Sequence, residues 1–378
     1  MGNKLDLKKV FIAGGTGFLG YYSALEFLKK GVAVDTISLP DIPLGKWFPA
    51  DKIGVKYGNL FEMKKEELVE IFRGYDALVY AVGPDDRVHS PKGVTAYDFF
   101  YQRLVVAVKK VFEAAKEAGV KKAVVLNSYF AYFDRVKPEL KLAERHPYIK
   151  VRTEQSKELI AVGGGVENGG MDVVILELPY IFGAMPERMP LWKGVFLDRF
   201  AGMPAVFFPK GGTNMIHCTG VAEGVVAATY YGQHADKLPI GGDNKKYSFM
   251  INSMMEVIGA KKRCVTLPTC VCTIGGKVVA HNIHKEGQES GLDYKRLMKD
   301  IQSRDYYFDP NPVREYLHFS ELGFKGGLSL QEGIKATMMA CYPHRFDKDG
   351  NLKPEWNGIN PTKLEPKDND PALKNKKK

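Results

Sequence analysis

Two stretches of the chain carry residues spaced for chemistry. AGGTGFLG holds Gly14, Gly17 and Gly20 at intervals of three, between an apolar run and a helical one. Glycine there permits backbone angles that other residues resist and removes the Cβ that would block a pyrophosphate. The helix that follows offers free N–H groups and the positive end of its dipole to phosphate oxygens. A strand before, a helix after and a second strand beyond supply the context a dinucleotide site needs. The second stretch, YIKVRTEQSK, sets Lys157 four residues after Thr153, on the same side of a helix. A proton donor would be useful at that threonine, one helical turn from the lysine, and whether this helix performs proton chemistry or only holds a nucleotide is the question it raises.

The elements that must position these residues follow from periodicity. KKVFIAG (8–14), VAVDTISL (32–39), KIGVKYGN (52–59), DALVYAVG (76–83), KKAVVLNS (121–128) and MDVVILEL (171–178) read as apolar strands. Helical patterns separate them, over 18–30, 64–73, 96–119 and 147–161. Such alternation implies an α/β fold, a Rossmann-type doubly wound parallel sheet covered on both faces. From Pro179 the pattern turns irregular and rich in Pro, Phe and Met. Residues 1–178 are therefore expected to form the dinucleotide-binding domain, with 214–235 returning to it. Residues 179–213 and 236–343 form a smaller C-terminal substrate-binding lobe, and 344–378 a polar extended tail.

Composition narrows the class. Of 378 residues, 45% are hydrophobic and 26% charged, as in ordinary globular proteins. No apolar run is long enough to cross a bilayer, and the N-terminus leads into a strand rather than a signal segment, so a cytoplasmic location is the default. The net charge of +10 raises nucleic acid as a partner, but much of the excess sits in LKNKKK and in dipeptides such as Lys109-Lys110 and Lys121-Lys122. Those positions punctuate loops and helix ends, where cations suit the dipole, so a solvated surface explains them better. The five cysteines lack zinc-finger spacing; Cys270-Val-Cys272, read as strand, would put two thiols on one face. Reduced buried thiols and no metal are expected, and His281 and His284 lack further ligands nearby.

From the glycine turn onward the chain resembles the extended short-chain dehydrogenase/reductases, the NAD-dependent epimerase/dehydratase superfamily. Gly14-x-x-Gly17-x-x-Gly20 is that family's spacing, and YGNLFE (57–62) looks like its G-D-L segment. EAAKEAGVKKAVVLNS (113–128), MDVVILELPYIFG (171–183) and NMIHCTGVAEGV (214–225) are similar to further family elements, as are 240–259, 306–324 and 328–334. The resemblance implies a pyridine dinucleotide lying on Gly14, Thr16, Gly17, Phe18, Leu19 and Gly20. Ser38, Asn59 and Leu60 would meet its adenosine half, and Ala81, Val82, Gly83, Lys157 and Pro179 the remainder. In place of the carboxylate that selects NAD, Ser38 ends the second strand, Asp35 lies inside it and Asp41 beyond it. A serine does not repel a 2′-phosphate and Lys46 is close in sequence, so NADP is favoured while NAD stays open.

The family couples hydride transfer to a Ser-Tyr-Lys group. Ser128 and Lys157 match it, but the tyrosine position is Thr153. A threonine hydroxyl is a far weaker acid than a phenol and its side chain is shorter. Three readings follow: another donor such as Tyr129, Tyr180 or a held water; chemistry that needs no strong acid, such as reduction of an activated alkene; or a non-catalytic nucleotide-binding protein, regulatory or RNA-associated. Tyr148, five residues before Thr153, is turned away from Lys157 on the same helix. Nucleotide-sugar enzymes of the family clamp a diphosphate with arginines. Here Glu177, Thr213 and Asn214 occupy those positions. The lobe offers Tyr180, Phe182 and Trp192 instead, as ordinary core or as the lining for a substrate of low polarity. The expected activity is thus an NAD(P)-dependent oxidoreductase acting on a carbonyl, enone or alcohol, with a sugar-nucleotide epimerase or dehydratase as alternative. The long helices 96–119 and 147–161 could pair two copies. His217 is expected to satisfy a backbone group.

Overall fold

A computed structural model describes residues 4–40 and 42–362. Six strands, β1 Lys9–Ala13, β2 Ala33–Ser38, β3 Ile53–Tyr57, β4 Ala77–Tyr80, β5 Lys122–Ser128 and β6 Asp172–Leu178, lie in one sheet with a short strand Lys237–Pro239. The seven strands run in the order Lys237–Pro239, β6, β5, β4, β1, β2, β3, all parallel. Chain direction across the sheet reverses between β1 and β4, which opens a crevice at their C-terminal ends.

The apolar runs are explained by burial on both faces. Along β1, Val10 and Ile12 pack with Tyr21, Ala24 and Phe27 of the helix Phe18–Lys29 and with Val225 of the helix Cys218–Tyr231. The alternate residues Phe11 and Ala13 face Leu68, Phe72, Phe112 and Leu159, on the helices Lys65–Phe72, Ala107–Glu117 and Pro147–Gly163. One strand thus serves two cores because successive side chains point to opposite faces.

The helix over 96–117 is interrupted by a π-turn at Gln102–Val106. There the Leu104 carbonyl accepts from Gln155 Nε2 at 2.6 Å, and the Leu104 side chain lies against Gly83. The irregular turn therefore ties the long helix to the helix Pro147–Gly163 beside the crevice.

The second lobe is a small sheet of Tyr180–Phe182, Gly212–His217, Asp243–Lys246 and Asp305–Tyr306, backed by the helices Tyr247–Val257 and Leu330–Cys341. Three details differ from the sequence reading. The return to the main sheet extends beyond 235, since Lys237–Pro239 pairs with β6. Residues 344–362 are not an extended tail: Arg345 is buried against the Ile258 and Ile359 carbonyls, and Phe346 joins the lobe core. Residues 363–378, like Asp41, lie outside the described residues. Cys270 and Cys272 are helical, within Thr269–Lys285, so their thiols point apart. Among the described residues no helix is long and apolar enough to cross a membrane. No group of three His, Cys, Asp or Glu among them is placed to hold a metal.

Candidate active site

The crevice begins at the glycine turn. Gly14 has φ +88°, and a Cβ there would sit 2.9 Å from the Ala81 carbonyl oxygen and from Val82. A Cβ on Gly20 would stand 2.1 Å from the Gly14 carbonyl oxygen. The turn is pinned from β2, where Thr36 Oγ1 accepts from the Gly15 N–H at 2.8 Å and donates to the Ile12 carbonyl at 2.7 Å. The helix Phe18–Lys29 has neither a side-chain cap nor an acidic residue in its first turn. Its leading N–H groups and dipole therefore face the crevice uncompensated, and the glycines leave the space that a pyrophosphate requires. The residues present fit a dinucleotide.

At the adenosine end, Ser38 is buried and its hydroxyl accepts from Thr16 Oγ1 at 3.2 Å. It offers no carboxylate to a ribose 2′-oxygen. Asn59 spends its Oδ1 on the Phe61 N–H at 3.1 Å and keeps its amide nitrogen for another partner. Leu60 is buried beneath it, and Ala81, Val82 and Gly83 lie partly open along the end of β4.

At the other end stands Ser128, 8% exposed, its Oγ accepting weakly from the Phe130 N–H at 3.3 Å as the cap of the helix Tyr129–Val136. Its neighbour Asn127 sets the orientation of the helix Pro147–Gly163. Asn127 Nδ2 donates to the Arg152 carbonyl at 3.0 Å and approaches Gln155 Oε1 and Ser156 Oγ, both at 3.1 Å. With those residues held inward, Thr153 and Lys157 point to solvent and their side chains have no hydrogen-bond partner among the described residues. The expectation that they enter the crevice is corrected here, for the helix is rotated about one residue from that reading.

The inward residues are Tyr148 and Arg152, also four apart. Arg152 Nε donates to the Tyr148 hydroxyl at 2.9 Å, while Nη1 donates to the Leu126 carbonyl at 3.2 Å and to Gln155 Oε1 at 2.9 Å. Burial pushes the Tyr148 phenol up to about 12; the Arg152 charge opposes this, and the Asp86 and Asp85 carboxylates reinforce it. Asp86 itself is held up to about 6, first by burial and then by Asp85, against the pull of Arg87 and Arg152. The loop Asp85-Asp86-Arg87 was not singled out from sequence, because an acidic pair after a strand is ordinary in a solvated loop. Here Arg87 Nε donates to Asp85 at 2.9 Å, and its guanidinium lies 5.4 Å from the Trp192 ring centre. The loop thereby joins the crevice wall to the second lobe.

Other expected residues take structural places. The Tyr129 hydroxyl bonds Thr213 Oγ1 at 2.7 Å, and burial holds its phenol well above the usual range. Phe182 is fully buried and stacks on Trp192 at 4.8 Å, so the pair forms lobe core rather than an open lining. Trp192 Nε1 donates to the Ile181 carbonyl at 3.0 Å. Tyr180 is half-buried at 5.6 Å from Trp192, beside Pro179, which is buried. Glu177, completely buried, receives two 2.8 Å bonds from Arg135. His217 accepts from the Thr219 N–H at 3.0 Å, the backbone role expected for it.

No family model matches the chain. Among curated proteins, human sterol-4-alpha-carboxylate 3-dehydrogenase, decarboxylating, is 27% identical over 134 residues, which span 35% of this chain and 32% of that protein. The chain thus matches about a third of that relative's length. Among solved structures, gox2253 superposes with a TM-score of 0.68 at 18% identity, covering 92% of this chain and all of that one (100%). The chain shares the fold of these proteins, a Rossmann-type parallel sheet carrying a smaller second lobe. A nucleoside-diphosphate-sugar epimerase from Pseudomonas aeruginosa (TM-score 0.62, 14% identity) covers 89% of this chain and 98% of its own. The UDP-glucose 4-epimerase of Thermotoga maritima, solved with UDP-glucose, gives 0.59 at 15% identity, with 88% and 98% covered. Tyr148 and Arg152 stand four residues apart on the helix Pro147–Gly163, one turn from each other on its buried face.

Proposed function

We propose that the chain is an NAD(P)-dependent oxidoreductase interconverting a carbonyl and an alcohol, with Tyr148 as the proton-transfer group. The observation that carries this reading is the 2.9 Å bond from Arg152 to the Tyr148 hydroxyl, on a helix fastened to the end of β5 beside Ser128. When bound, the dinucleotide would supply or accept a hydride. Ser128 would hold the substrate oxygen. Tyr148 would give that oxygen its proton in reduction and take it back in oxidation. Arg152 stabilises the phenolate that reduction leaves behind, and as a guanidinium it stays charged throughout. Its Nη2 has no protein partner among the described residues and is available to a ribose hydroxyl. The Gly14–Gly20 turn would hold the pyrophosphate.

The substrate is taken to be a ketone, enone or secondary alcohol of low polarity. Arg135 is committed to Glu177, Thr213 to Tyr129 and Asn214 to the Gly242 carbonyl, so these positions offer no free guanidinium to a diphosphate. The likeness to a protein carrying UDP-glucose makes a nucleotide-sugar the second reading. Oxidation of NADH and NADPH, followed with ketones, enones and UDP-sugars, tests both. Turnover with a simple carbonyl, abolished in Tyr148→Phe and Ser128→Ala, supports the first. Turnover of UDP-sugars alone supports the second, and dinucleotide binding without any turnover would leave a binding protein.

A further inference from the structure

The helix Thr269–Lys285 lies on the second lobe with an apolar face outward. Its inner face is fixed by Gly276, where a Cβ would stand 2.5 Å from the Tyr294 carbonyl oxygen, and by buried Ile283. On the opposite side Val271, Ile274 and Val278 fall at helical spacing and are 46%, 65% and 56% exposed. The strand pair just before the helix adds Val265 at 42% and Phe207 at 37%, which are register partners. Five exposed apolar side chains, on the helix and on the two paired strands of which one leads directly into it, exceed the scattered surface leucine that needs no explanation.

Along the segment that carries this face the charge has one sign, bounded by the exposed Glu256 and Glu286. Between Glu256 and Glu286 the sequence contains no carboxylate, while Lys261, Arg263, Lys277 and Lys285 are exposed. Lys277 borders the apolar stripe, and Lys285 with His281 and His284 continues it toward the helix C-terminus. A second copy docked about a two-fold axis would set this cationic face against itself, which disfavours self-association. An anionic lipid surface complements both features, taking the short aliphatic side chains at the headgroup boundary and the ammonium groups at the phosphates.

We propose that this face, centred on Ile274 and Val278, docks the protein reversibly on anionic membrane surfaces. The inference is independent of the oxidoreductase reading. The test is flotation of the full chain with phosphatidylcholine vesicles and with vesicles that also contain phosphatidylserine. Partition onto the anionic vesicles is expected to exceed that onto neutral ones at least tenfold and to weaken as salt rises from about 50 to about 300 mM. The double variant Ile274→Glu, Val278→Glu is expected to lose at least tenfold in partition while its thermal midpoint is unchanged. A second variant, Lys277→Glu with Lys285→Glu, is expected to abolish the preference for anionic lipid. Absence of partition, or partition indifferent to these substitutions, overturns the proposal. So does a dimer in light scattering that Ile274→Glu, Val278→Glu dissolves, which would assign the face to a second copy.

Discussion

Arg152 Nε lies 2.9 Å from the Tyr148 hydroxyl, joining two buried side chains one helical turn apart at the end of β5. On the proposed reading the guanidinium stabilises the phenolate that proton transfer leaves behind. Tyr148→Phe is expected to lower kcat for carbonyl reduction by about 10²–10⁴-fold, the usual contribution of a positioned acid. Arg152→Met should approach the same loss, and Arg152→Lys should recover part of it, since the charge returns without the planar fork. Steady-state kinetics with folded variants checks this, and an unimpaired Tyr148→Phe enzyme would refute the assignment.

Thr153 and Lys157 provide the contrast. Both are exposed on the far side of the same helix, so Thr153→Val and Lys157→Ala are expected to change kcat/KM by less than about threefold. A large loss in Lys157→Ala, with Tyr148→Phe near wild type, would return the site to the other register.

The pH dependence follows from burial. With its phenol pushed up to about 12, Tyr148 is protonated across the physiological range and ready to donate. Reduction should therefore not fall between about pH 7 and pH 10 through this group, whereas oxidation, which needs the phenolate, should rise toward about tenfold per pH unit. Asp86, held at about 6, adds a second limb. As pH falls through that value its carboxylate is neutralised, its opposition to the Tyr148 phenolate disappears, and reduction should gain about two- to fivefold. Asp86→Asn should show that gain already at pH 8 and lack the limb.

Gly20 is fixed by contact rather than by flexibility. A Cβ 2.1 Å from the Gly14 carbonyl oxygen forces the turn and the helix apart. Gly20→Ala is expected to lower stability by about 1–3 kcal/mol and to weaken dinucleotide binding more than tenfold. Thermal melts and fluorescence titration with NADH and NADPH measure the two effects. A variant that binds normally would show that the pyrophosphate lies elsewhere.

Arg135→Ala strands the fully buried Glu177 carboxylate. The expected loss is about 2–4 kcal/mol, less than for a wholly buried pair because Arg135 is partly exposed. Burial raises the Glu177 carboxyl, which favours its protonated form in the folded protein. The sign is then set: the loss should shrink as pH falls, because neutralising Glu177 removes the uncompensated charge. Melting temperatures at pH 8 and pH 5 reveal it.

Much of the fold was legible because it depends on local spacing. Short continuous apolar runs such as KKVFIAG mark strands, and the helical runs between them require a parallel sheet. The glycine turn was legible for the same reason, since a missing Cβ is a property of the residue and not of its neighbours. Arg135 was not anticipated as the partner of Glu177, nor residues 344–362 as core, because both depend on contacts between segments far apart in sequence.

The chain's own order of residues determined its strands and helices, its switch-point crevice and the room for a pyrophosphate within it. Which side of the helix Pro147–Gly163 packs against the end of β5 was decided only in three dimensions. Each residue turns a helix by about 100°, so a slip of one position exchanges Thr153 and Lys157 for Arg152 and Ser156. Only the bonds from Asn127 to the Arg152 carbonyl, from Arg152 to the Leu126 carbonyl and from Gln155 to the Leu104 carbonyl fix that rotation. Those partners lie 25, 26 and 51 residues away along the chain, beyond the reach of any local pattern.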